Sequence, residues 1–376
     1  MMKIAFLFGG MSRGGAERVI AHLSNSFVQM GDEVAIITMD NLESGYVLDE
    51  RVRHIRLDLA EKSGNMLQSL AHVFKRSKAL RQVVNENGFD AVVSFQPWFA
   101  LMLLFAQPFG RKYRIIASER ANPRIKTRSP LKRLLIRALI NRVDGFIFQT
   151  KAVSECYSRK LREKGVVIPN GVFKNALPKE IVPFEKRQMQ RIVMVGRLSA
   201  QKAYDVAIDA FARVKKICPE KELHIYGDGP LKDEIQKQCE SCGVQDSVFF
   251  HGSVENVLTE IQGAGMFVLA SRFEGMPNAL MEAMACGLPC VATDCEFGPS
   301  ELITHGKNGF LVPVEDGEKL AMAILQLSKD QEKARTMALK AADIRQSHNG
   351  ERIKDMYHTY IQTVVAGKSI IEEELA

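Results

Sequence analysis

Short apolar runs alternate with amphipathic helical patterns along the whole chain, and this scheme occurs twice. In the first half the apolar runs are residues 4–8, 34–39, 91–95, 113–118 and 145–149. In the second half they are residues 191–195, 222–226, 247–250, 266–270 and 289–293. Short buried strands separated by helices form βαβ units on a parallel sheet. The pattern therefore predicts an α/β protein with two doubly wound, Rossmann-like domains in tandem.

A change of composition marks the boundary between the two halves. A chain of 376 residues is longer than one hydrophobic core usually organises, so two domains are expected. Proline and polar residues are frequent between them. We place the first domain at residues 1–171, a linker at 172–189 and the second domain at 190–349, followed by a further helical pattern within 350–376.

The composition indicates a cytoplasmic protein. No run of about 18 apolar residues is present, and the first apolar stretch reaches Gly9 and Gly10 too early for a signal peptide. The seven cysteines are an odd number with no secretory context, which favours reduced thiols over a disulfide framework.

Positive charge is concentrated in the first half. Residues 1–185 contain 29 Lys and Arg against 17 Asp and Glu, a net charge of +12, whereas residues 186–376 contain 22 against 27, a net charge of −5. Such asymmetry is typical of proteins that bind nucleic acid or a membrane surface. We expect no nucleic-acid partner, because the cations are not interleaved with aromatic residues and no recognised binding motif is present.

Three glycine-containing loops follow predicted strands, where the ligands of parallel sheets collect. The loop at residues 9–18 (GGMSRGGAER) either binds phosphate at the start of a helix or simply makes a tight turn. The loop at residues 196–202 (GRLSAQK) contains Arg197 and Lys202, which either neutralise a diphosphate or are solvated surface charges. The third loop, at residues 226–230 (YGDGP), is either part of the ligand site at the strand end or a structural turn.

The segment at residues 274–282 (EGMPNALME) places two carboxylates eight positions apart. Pro277 suits the first turn of a helix, and the apolar residues after it form one helical face. The helix N-terminus therefore points into the loop that contains Gly275. Backbone N–H groups at such an end attract phosphate, and carboxylates accept hydrogen bonds from hydroxyl groups. The segment is typical of a site for a ligand that combines phosphate and sugar.

Motifs of several common enzyme classes are missing from the sequence. No Walker A, HExxH or GxSxG segment is present, which argues against the commonest NTPases, metalloproteases and α/β-hydrolases. No Asp-x-Asp pair is present to hold a metal on a nucleotide sugar, so Arg197 and Lys202 would supply the charge that Mg²⁺ supplies elsewhere. We expect neither a metal ion nor a cofactor.

Taken together, these segments resemble the retaining glycosyltransferases of family 4, which have the GT-B architecture of two Rossmann-like domains facing each other across a cleft. The resemblance covers essentially the whole chain. It is carried by residues 14–19 (GGAERV), 169–172 (PNGV), 196–202, 226–230, 287–289 (GLP) and 308–312 (NGFLV), and above all by Glu274 and Glu282. It also implies that residues 350–376 form a helix that crosses back to the first domain.

The resemblance implies roles for the matching positions. Arg197 and Lys202 would hold the donor diphosphate and stabilise the leaving group, Glu282 would bind the ribose hydroxyls, and Glu274 would hold the transferred sugar and the β-phosphate. Residues 251–253 would receive the nucleotide base. The other implied donor-binding positions are Gly14, Gly15, Gly196, His251, Gly252, Ser253, Gly275, Met276, Asn278, Ala279 and Leu280.

The implied reaction needs no enzyme nucleophile. In this family the acceptor hydroxyl is held to attack from the face that the diphosphate leaves, and a phosphate oxygen takes its proton. Cations placed in advance stabilise the charge that develops on the diphosphate. Glu274 and Glu282 are therefore not an acid/base pair of the glycosidase kind.

The chain departs from the family pattern in one segment of the first domain. Many members carry a histidine near the reacting sugar, where this chain has residues 117–123 (ASERANP). Glu119 either replaces that histidine as a catalytic residue, which we favour, or forms a structural ion pair with Arg120. Residues 117–123 and 298–302 (GPSEL) together are most similar to the corresponding segments of transferases that extend polyprenyl-diphosphate-linked oligosaccharides with N-acetylgalactosamine or a related hexose.

A basic amphipathic stretch occupies residues 126–142 (KTRSPLKRLLIRALINR), and residues 72–81 add further cations. Cations interleaved with leucine and isoleucine suit the interface of an anionic membrane, although an ordinary domain helix gives the same pattern. A lipid-linked acceptor favours the membrane interpretation. We therefore expect a peripheral protein on the inner face of the cell membrane.

The favoured function is transfer of N-acetylgalactosamine, N-acetylglucosamine or a hexose from a UDP-sugar to a polyprenyl-diphosphate-linked saccharide. Such a reaction belongs to the assembly of bacterial surface or glycoprotein glycans, including O-antigen and capsule. One alternative is a transferase of the same fold that uses GDP-mannose or a soluble acceptor. A more remote alternative is a nucleotide-sugar-binding protein without catalysis.

Overall fold

The computed structural model describes residues 1–12, 14–60, 66–107, 109–124, 130–173 and 177–368. The chain divides into two compact units. Unit 1 consists of Met1–Gly171 together with the chain from Glu351 onward, and unit 2 consists of Val172–Gly350. The residues predicted as a linker, 172–189, thus lie within unit 2, as far as the structure describes them.

Each unit contains one parallel sheet. The strands are β1 (Lys3–Phe8), β2 (Glu33–Thr38), β3 (Arg53–Arg56), β4 (Ala91–Ser94), β5 (Arg114–Glu119), β6 (Gly145–Phe148), β7 (Gly165–Val167), β8 (Gln188–Val195), β9 (Glu222–Tyr226), β10 (Val248–Gly252), β11 (Ala264–Leu269), β12 (Cys290–Thr293) and β13 (Phe310–Val312). The strand order is β3-β2-β1-β4-β5-β6-β7 in unit 1 and β10-β9-β8-β11-β12-β13 in unit 2. Sequence order reverses between β1 and β4 and between β8 and β11, as in doubly wound sheets.

Helices connect the strands. They are α1 (Gly15–Gln29), α2 (Met66–Asn87), α3 (Pro97–Ala106), α4 (Pro130–Leu139), α5 (Lys151–Glu155), α6 (Arg159–Arg162), α7 (Tyr204–Ile217), α8 (Lys232–Ser241), α9 (Val257–Ile261), α10 (Asn278–Ala285), α11 (Pro299–Leu302), α12 (Gly317–Lys329), α13 (Gln331–Ala341), α14 (Ile344–Ser347) and α15 (Gly350–Val365). Within the described ranges, no helix is both long enough and apolar enough to cross a membrane.

The last helix packs into the core of unit 1. Tyr357 and Tyr360 on α15 are fully buried among side chains of that unit. The Tyr360 hydroxyl donates to the carbonyl of Lys164 at 2.7 Å and accepts the N–H of Phe146 at 2.7 Å. A Cβ on Gly145 would lie 2.6 Å from this hydroxyl, so only glycine leaves room for the tyrosine.

The segment predicted as a linker is attached to unit 2 by a buried arginine. Arg187 donates from Nη1 to the carbonyl of Gly287, and from Nε at 3.1 Å and Nη2 at 3.0 Å to the carbonyl of Val182. β8 then starts at Gln188. A polar, proline-rich composition therefore does not mark a free connection here, because its arginine is buried against the body of unit 2.

Candidate functional site

Two glycine loops touch at the carboxyl edge of the unit 2 sheet. Gly196 follows β8, and Gly227 and Gly229 follow β9. A Cβ on Gly227 would lie 2.1 Å from the carbonyl oxygen of Gly196, and a Cβ on Gly229 would lie 2.3 Å from that of Leu198. Both glycines are therefore required for the close approach of the two loops. The segments predicted as phosphate loops form one connected backbone surface.

Lys202 is held by Glu274. Its Nζ lies 2.6 Å from Oε1 of Glu274, and the Ser271 hydroxyl donates to the same oxygen at 2.7 Å. The exposed fraction of the side chain is 17% for Lys202 and 7% for Glu274, so this ion pair is largely desolvated. Ala203, the next residue, has a left-handed backbone with φ of 49°, a strained conformation of the kind that persists at functional sites.

Arg197 differs from Lys202 in its surroundings. Its side chain is exposed, and it makes no hydrogen bond or ion pair with any described residue. A lysine ammonium has three N–H donors, so the pair with Glu274 leaves Lys202 able to contact a ligand as well. The loop thus offers one anchored ammonium and one unengaged guanidinium.

A second arginine, Arg272, holds the loop at residues 196–202 by hydrogen bonds to its backbone. Arg272 donates its backbone N–H to the carbonyl of Gln201 at 2.8 Å and its Nη1 to that of Ala200 at 2.7 Å. Its guanidinium also pairs with Asp205 at 2.5 Å and with Glu315. Hydrogen bonding to Asp205 and then to Glu315 raises the pKa of Arg272, which stays cationic. No sequence motif identifies Arg272, because the partners of its side chain are at least 43 positions away in the chain.

The helix α10 begins at the same edge. A Cβ on Gly298 would lie 2.6 Å from the carbonyl oxygen of Gly275 and from Cδ of Pro277, so the loop before the helix packs against a neighbouring turn. At the other end, Arg345 Nε donates to the carbonyl of Ala285 at 2.6 Å. A cation at a helix C-terminus matches the negative end of the helix dipole.

The residues of this helix divide by burial. Glu282 is 9% exposed on α10. Met276 and Leu280 are core side chains of unit 2, so only their backbone atoms are placed to contact a ligand. Gly275, Asn278 and Ala279 complete the predicted set on this segment.

The predicted base-binding segment 251–253 carries a stack of rings. The rings of His251 and Tyr226 are 4.4 Å apart with an interplanar angle of 11°. His251 Nε2 lies 2.9 Å from Nδ1 of His224. Burial and the nearby Arg191 lower the pKa of His251, so the imidazole is neutral at neutral pH. Gly252 fixes this segment, since its carbonyl accepts the N–H of Gly227 at 2.7 Å, while Ser253 is exposed.

The predicted positions of unit 1 lie at the carboxyl ends of β1 and β5. Gly14 precedes α1, and its carbonyl accepts the Tyr46 hydroxyl at 2.8 Å; Gly15 is the first residue of the helix. A Cβ on Gly14 would lie 2.4 Å from a carboxylate oxygen of Glu17. Burial raises the pKa of Glu17. Arg13 of this loop lies outside the described residues.

Glu119 at the end of β5 accepts three hydrogen bonds. Its Oε2 accepts the Tyr157 hydroxyl at 2.7 Å, and its Oε1 accepts the backbone N–H groups of Arg120 at 3.0 Å and Ala121 at 3.1 Å. Burial raises the pKa of Glu119. The guanidinium of Arg120 points elsewhere and donates to Asn170 Oδ1 at 2.7 Å. Arg120 bonds Glu119 through its backbone N–H, and its charge lowers the pKa of that carboxyl against the larger effect of burial. Both the catalytic role of Glu119 and its structural pairing with Arg120 stay predictions.

Comparison with known families agrees with this arrangement. Residues 13–173 match the family described as Glycosyltransferase Family 4, and residues 179–343 match Glycosyl transferases group 1. The chain belongs to the glycosyltransferases. This membership confirms the family that the sequence motifs predict.

Individual relatives of this glycosyltransferase differ in length. An exopolysaccharide phosphotransferase of Streptomyces coelicolor is 35% identical over 210 residues, which are 55% of the chain but only 22% of that relative. The chain thus spans about a fifth of its length. A Campylobacter jejuni alpha-1,4-N-acetyl-D-galactosaminyltransferase, named for GalNAc-alpha-(1->4)-GalNAc-alpha-(1->3)-diNAcBac-PP-undecaprenol, is 27% identical over 88% of the chain and 90% of the relative.

Solved structures confirm the predicted GT-B fold of the glycosyltransferase. The Anabaena protein HepE, crystallised with UDP and glucose, superposes with a TM-score of 0.79 over 96% of this chain and 100% of that chain, at 20% identity. At this identity the similarity shows the fold alone.

The contact between the two glycine loops of the glycosyltransferase predicts the effect of Gly227→Ala. Gly227 has φ of +135° and its new Cβ would meet the carbonyl oxygen of Gly196 at 2.1 Å. We expect strain and overpacking to lower the free energy of unfolding of unit 2 by about 2–4 kcal/mol. Urea unfolding measures this loss.

The control is Gly243→Ala. Gly243 has φ of +66° with no atom within 4 Å of a new Cβ, so only the backbone strain of about 1–2 kcal/mol is expected. Equal losses for the two variants would show that the loop contact contributes nothing.

Proposed function

We propose that the protein transfers a sugar, N-acetylgalactosamine, N-acetylglucosamine or a hexose, from a UDP-sugar to a polyprenyl-diphosphate-linked saccharide. The reaction retains the anomeric configuration and uses no metal ion. The observation that carries the proposal is the pairing of Lys202 with Glu274 at 2.6 Å beside the unengaged Arg197, at the carboxyl edge of a nucleotide-binding type of sheet.

The donor half of the proposal rests on charge. A nucleoside diphosphate presents oxygens that Arg197 can grip with two N–H groups at once, while Lys202 acts as a point charge. The exposed ring of His251, packed against the buried ring of Tyr226, offers a neutral flat surface of the kind on which a base stacks. HepE, which shares the fold, is described as bound to UDP and glucose, which supports UDP as the nucleotide.

The chemistry follows from that placement. The bond between the anomeric carbon and the β-phosphate oxygen breaks, the diphosphate gains negative charge, and the sugar gains positive charge. The two cations stabilise the negative charge on the diphosphate. The acceptor hydroxyl forms the new bond on the same face and passes its proton to the departing phosphate oxygen. Glu274 positions Lys202 and accepts hydrogen bonds from the sugar.

The acceptor half rests on relatives and on the surface of unit 1. The Campylobacter jejuni relative is named for a PP-undecaprenol saccharide. Within the described part of the basic stretch, which excludes residues 125–129, Arg137 is exposed on α4 and Leu134 is 64% exposed. Cations beside exposed apolar side chains suit an anionic membrane. We propose that the protein is peripheral on the inner face of the cell membrane.

A ligand series tests the proposal. The melting temperature is measured with UDP, GDP and ADP and with their sugar conjugates, since a ligand at 100 times its Kd stabilises the native state by about 2.7 kcal/mol. We expect UDP to raise it and UDP-N-acetylgalactosamine to raise it further, with radiolabel moving to an undecaprenyl-diphosphate saccharide. A preference for GDP would favour a mannosyltransferase. Binding of UDP-sugars without transfer to lipid-linked or soluble acceptors would favour a protein without catalysis.

A further inference from the structure

A pocket of about 310 Å³ opens at the amino edge of the unit 1 sheet. It lies where β5 and β6 begin, at the opposite end of β5 from Glu119. Its lining residues are Phe109, Gly110, Arg111, Tyr113, Arg114 and Asp144. The transfer reaction uses none of them.

Two arginines in this pocket share a single carboxylate. Nη2 of Arg111 lies 3.3 Å and Nη1 of Arg114 lies 3.4 Å from the oxygens of Asp144. The same carboxylate also accepts the backbone N–H of Ile115 at 2.8 Å. Both ion pairs are long, and one negative charge faces two positive ones. The lining therefore keeps a net positive charge and spare guanidinium donors.

Two further donors in the lining have no acceptor among the residues that the structure describes. Tyr113 is 5% exposed, and its hydroxyl makes no hydrogen bond with any described residue. Nε of Arg111 is likewise buried without a partner in the described part of the chain. Burial raises the pKa of Tyr113 to about 12, so the phenol keeps its proton at neutral pH. Buried donors normally have partners, so these two indicate a missing acceptor.

The surroundings of the pocket add positive charge and an apolar rim. Lys164 Nζ donates to the carbonyl of Asn141 at 2.6 Å and to the carbonyl of Val143. Both carbonyls lie just before Asp144 and β6 in the chain. The guanidinium of Arg142 lies 5.9 Å from the ring centroid of Phe109, which is 81% exposed. An anion that carries an apolar portion would meet complementary groups at both positions.

We propose that this pocket binds a phosphate-class oxyanion, presented by the headgroup of an anionic membrane lipid or by free phosphate. Both unpartnered groups, the Tyr113 hydroxyl and Nε of Arg111, are hydrogen-bond donors. The two guanidinium groups suit the several oxygens of a phosphate. The site goes beyond the proposed transfer reaction, because none of its lining residues is among the positions predicted to bind the donor or to act in catalysis. Its failure would leave that reaction untouched.

Three single variants of the full-length protein test the site. Tyr113→Phe removes only the unpartnered hydroxyl, so we expect unchanged or higher stability of the free protein but three- to tenfold weaker anion binding. Arg111→Gln removes a charge and the buried Nε, and we expect at least tenfold weaker binding. Lys112→Gln is the matched control, since Lys112 is exposed, carries the same charge and is outside the lining.

Two assays distinguish the sources of the phosphate. The first is the shift of melting temperature with inorganic phosphate at constant ionic strength. The second is cosedimentation with phosphatidylglycerol vesicles, compared with phosphatidylcholine vesicles. If Tyr113→Phe and Arg111→Gln reduce the melting-temperature shift with phosphate, the site binds a free anion. If they reduce only the cosedimentation with phosphatidylglycerol vesicles, the site binds a lipid headgroup. If Tyr113→Phe matches Lys112→Gln in both assays, the proposal is wrong.

Discussion

Replacement of Arg197 by alanine is expected to lower kcat for sugar transfer about 100- to 1000-fold while the protein stays folded, because removal of one preorganised donor to a developing charge costs that much. The Arg197 side chain is exposed and makes no hydrogen bond or ion pair within the described residues, so its loss leaves no buried group unsatisfied. The charge it would stabilise appears on the diphosphate as the glycosidic bond breaks. The effect should therefore fall on kcat and kcat/KM together.

The matched control for this variant is Arg213→Ala. Arg213 is also exposed in unit 2, on α7, but it lies in a helix and not in a glycine loop. Initial rates at several UDP-sugar concentrations separate kcat from KM. Equal rates for the two variants would remove Arg197 from the site, and a rise in KM alone would limit it to ground-state binding.

Replacement of Glu274 by alanine is expected to abolish transfer and to lower the free energy of unfolding of unit 2 by about 3–5 kcal/mol, since it leaves a largely buried ammonium without its partner. Lys202 loses the carboxylate 2.6 Å away, and the Ser271 hydroxyl loses its acceptor at 2.7 Å. An ammonium without that carboxylate is no longer held in position for the diphosphate. The diphosphate then loses its second cation.

A double variant separates stability from catalysis. Lys202→Met combined with Glu274→Gln removes both charges. The free energy of unfolding should therefore fall by less than the sum of the losses measured for Lys202→Met alone and Glu274→Gln alone. Activity should not recover, because the cation is absent. Additive stability losses would contradict the coupling, and recovered transfer would contradict a role for Lys202 at the diphosphate.

The interior strands of both sheets are predictable because they are buried on two faces and read as continuous apolar runs. All ten apolar runs are strands in the structure. The pattern does not predict β3, β7 and β13, and each of these has only one neighbouring strand. β3 reads RHIR with no buried residue, and β7 and β13 contain three residues each, too few for a period to appear.

The candidate site shows the same limit of sequence reasoning. Glycines and charges in recurring motifs identify Arg197, Lys202 and Glu274. The sequence does not show that Lys202 and Glu274 form an ion pair, since their contact joins loops 72 positions apart. Ser271 and Arg272 have no motif of their own. Their contribution arises from tertiary packing, which local patterns do not encode.

The helix α15 sets an order of events during synthesis. Its Tyr357 and Tyr360 complete the core of unit 1, yet they follow every residue of unit 2 in the chain. The ribosome releases Met1–Gly171 first, so the core of unit 1 lacks the side chains of α15 while unit 2 is being synthesised. Unit 2 can therefore mature before unit 1. Arg120, whose guanidinium lies over the Tyr357 ring at 5.6 Å, reaches its final position only after all of unit 2 has been translated.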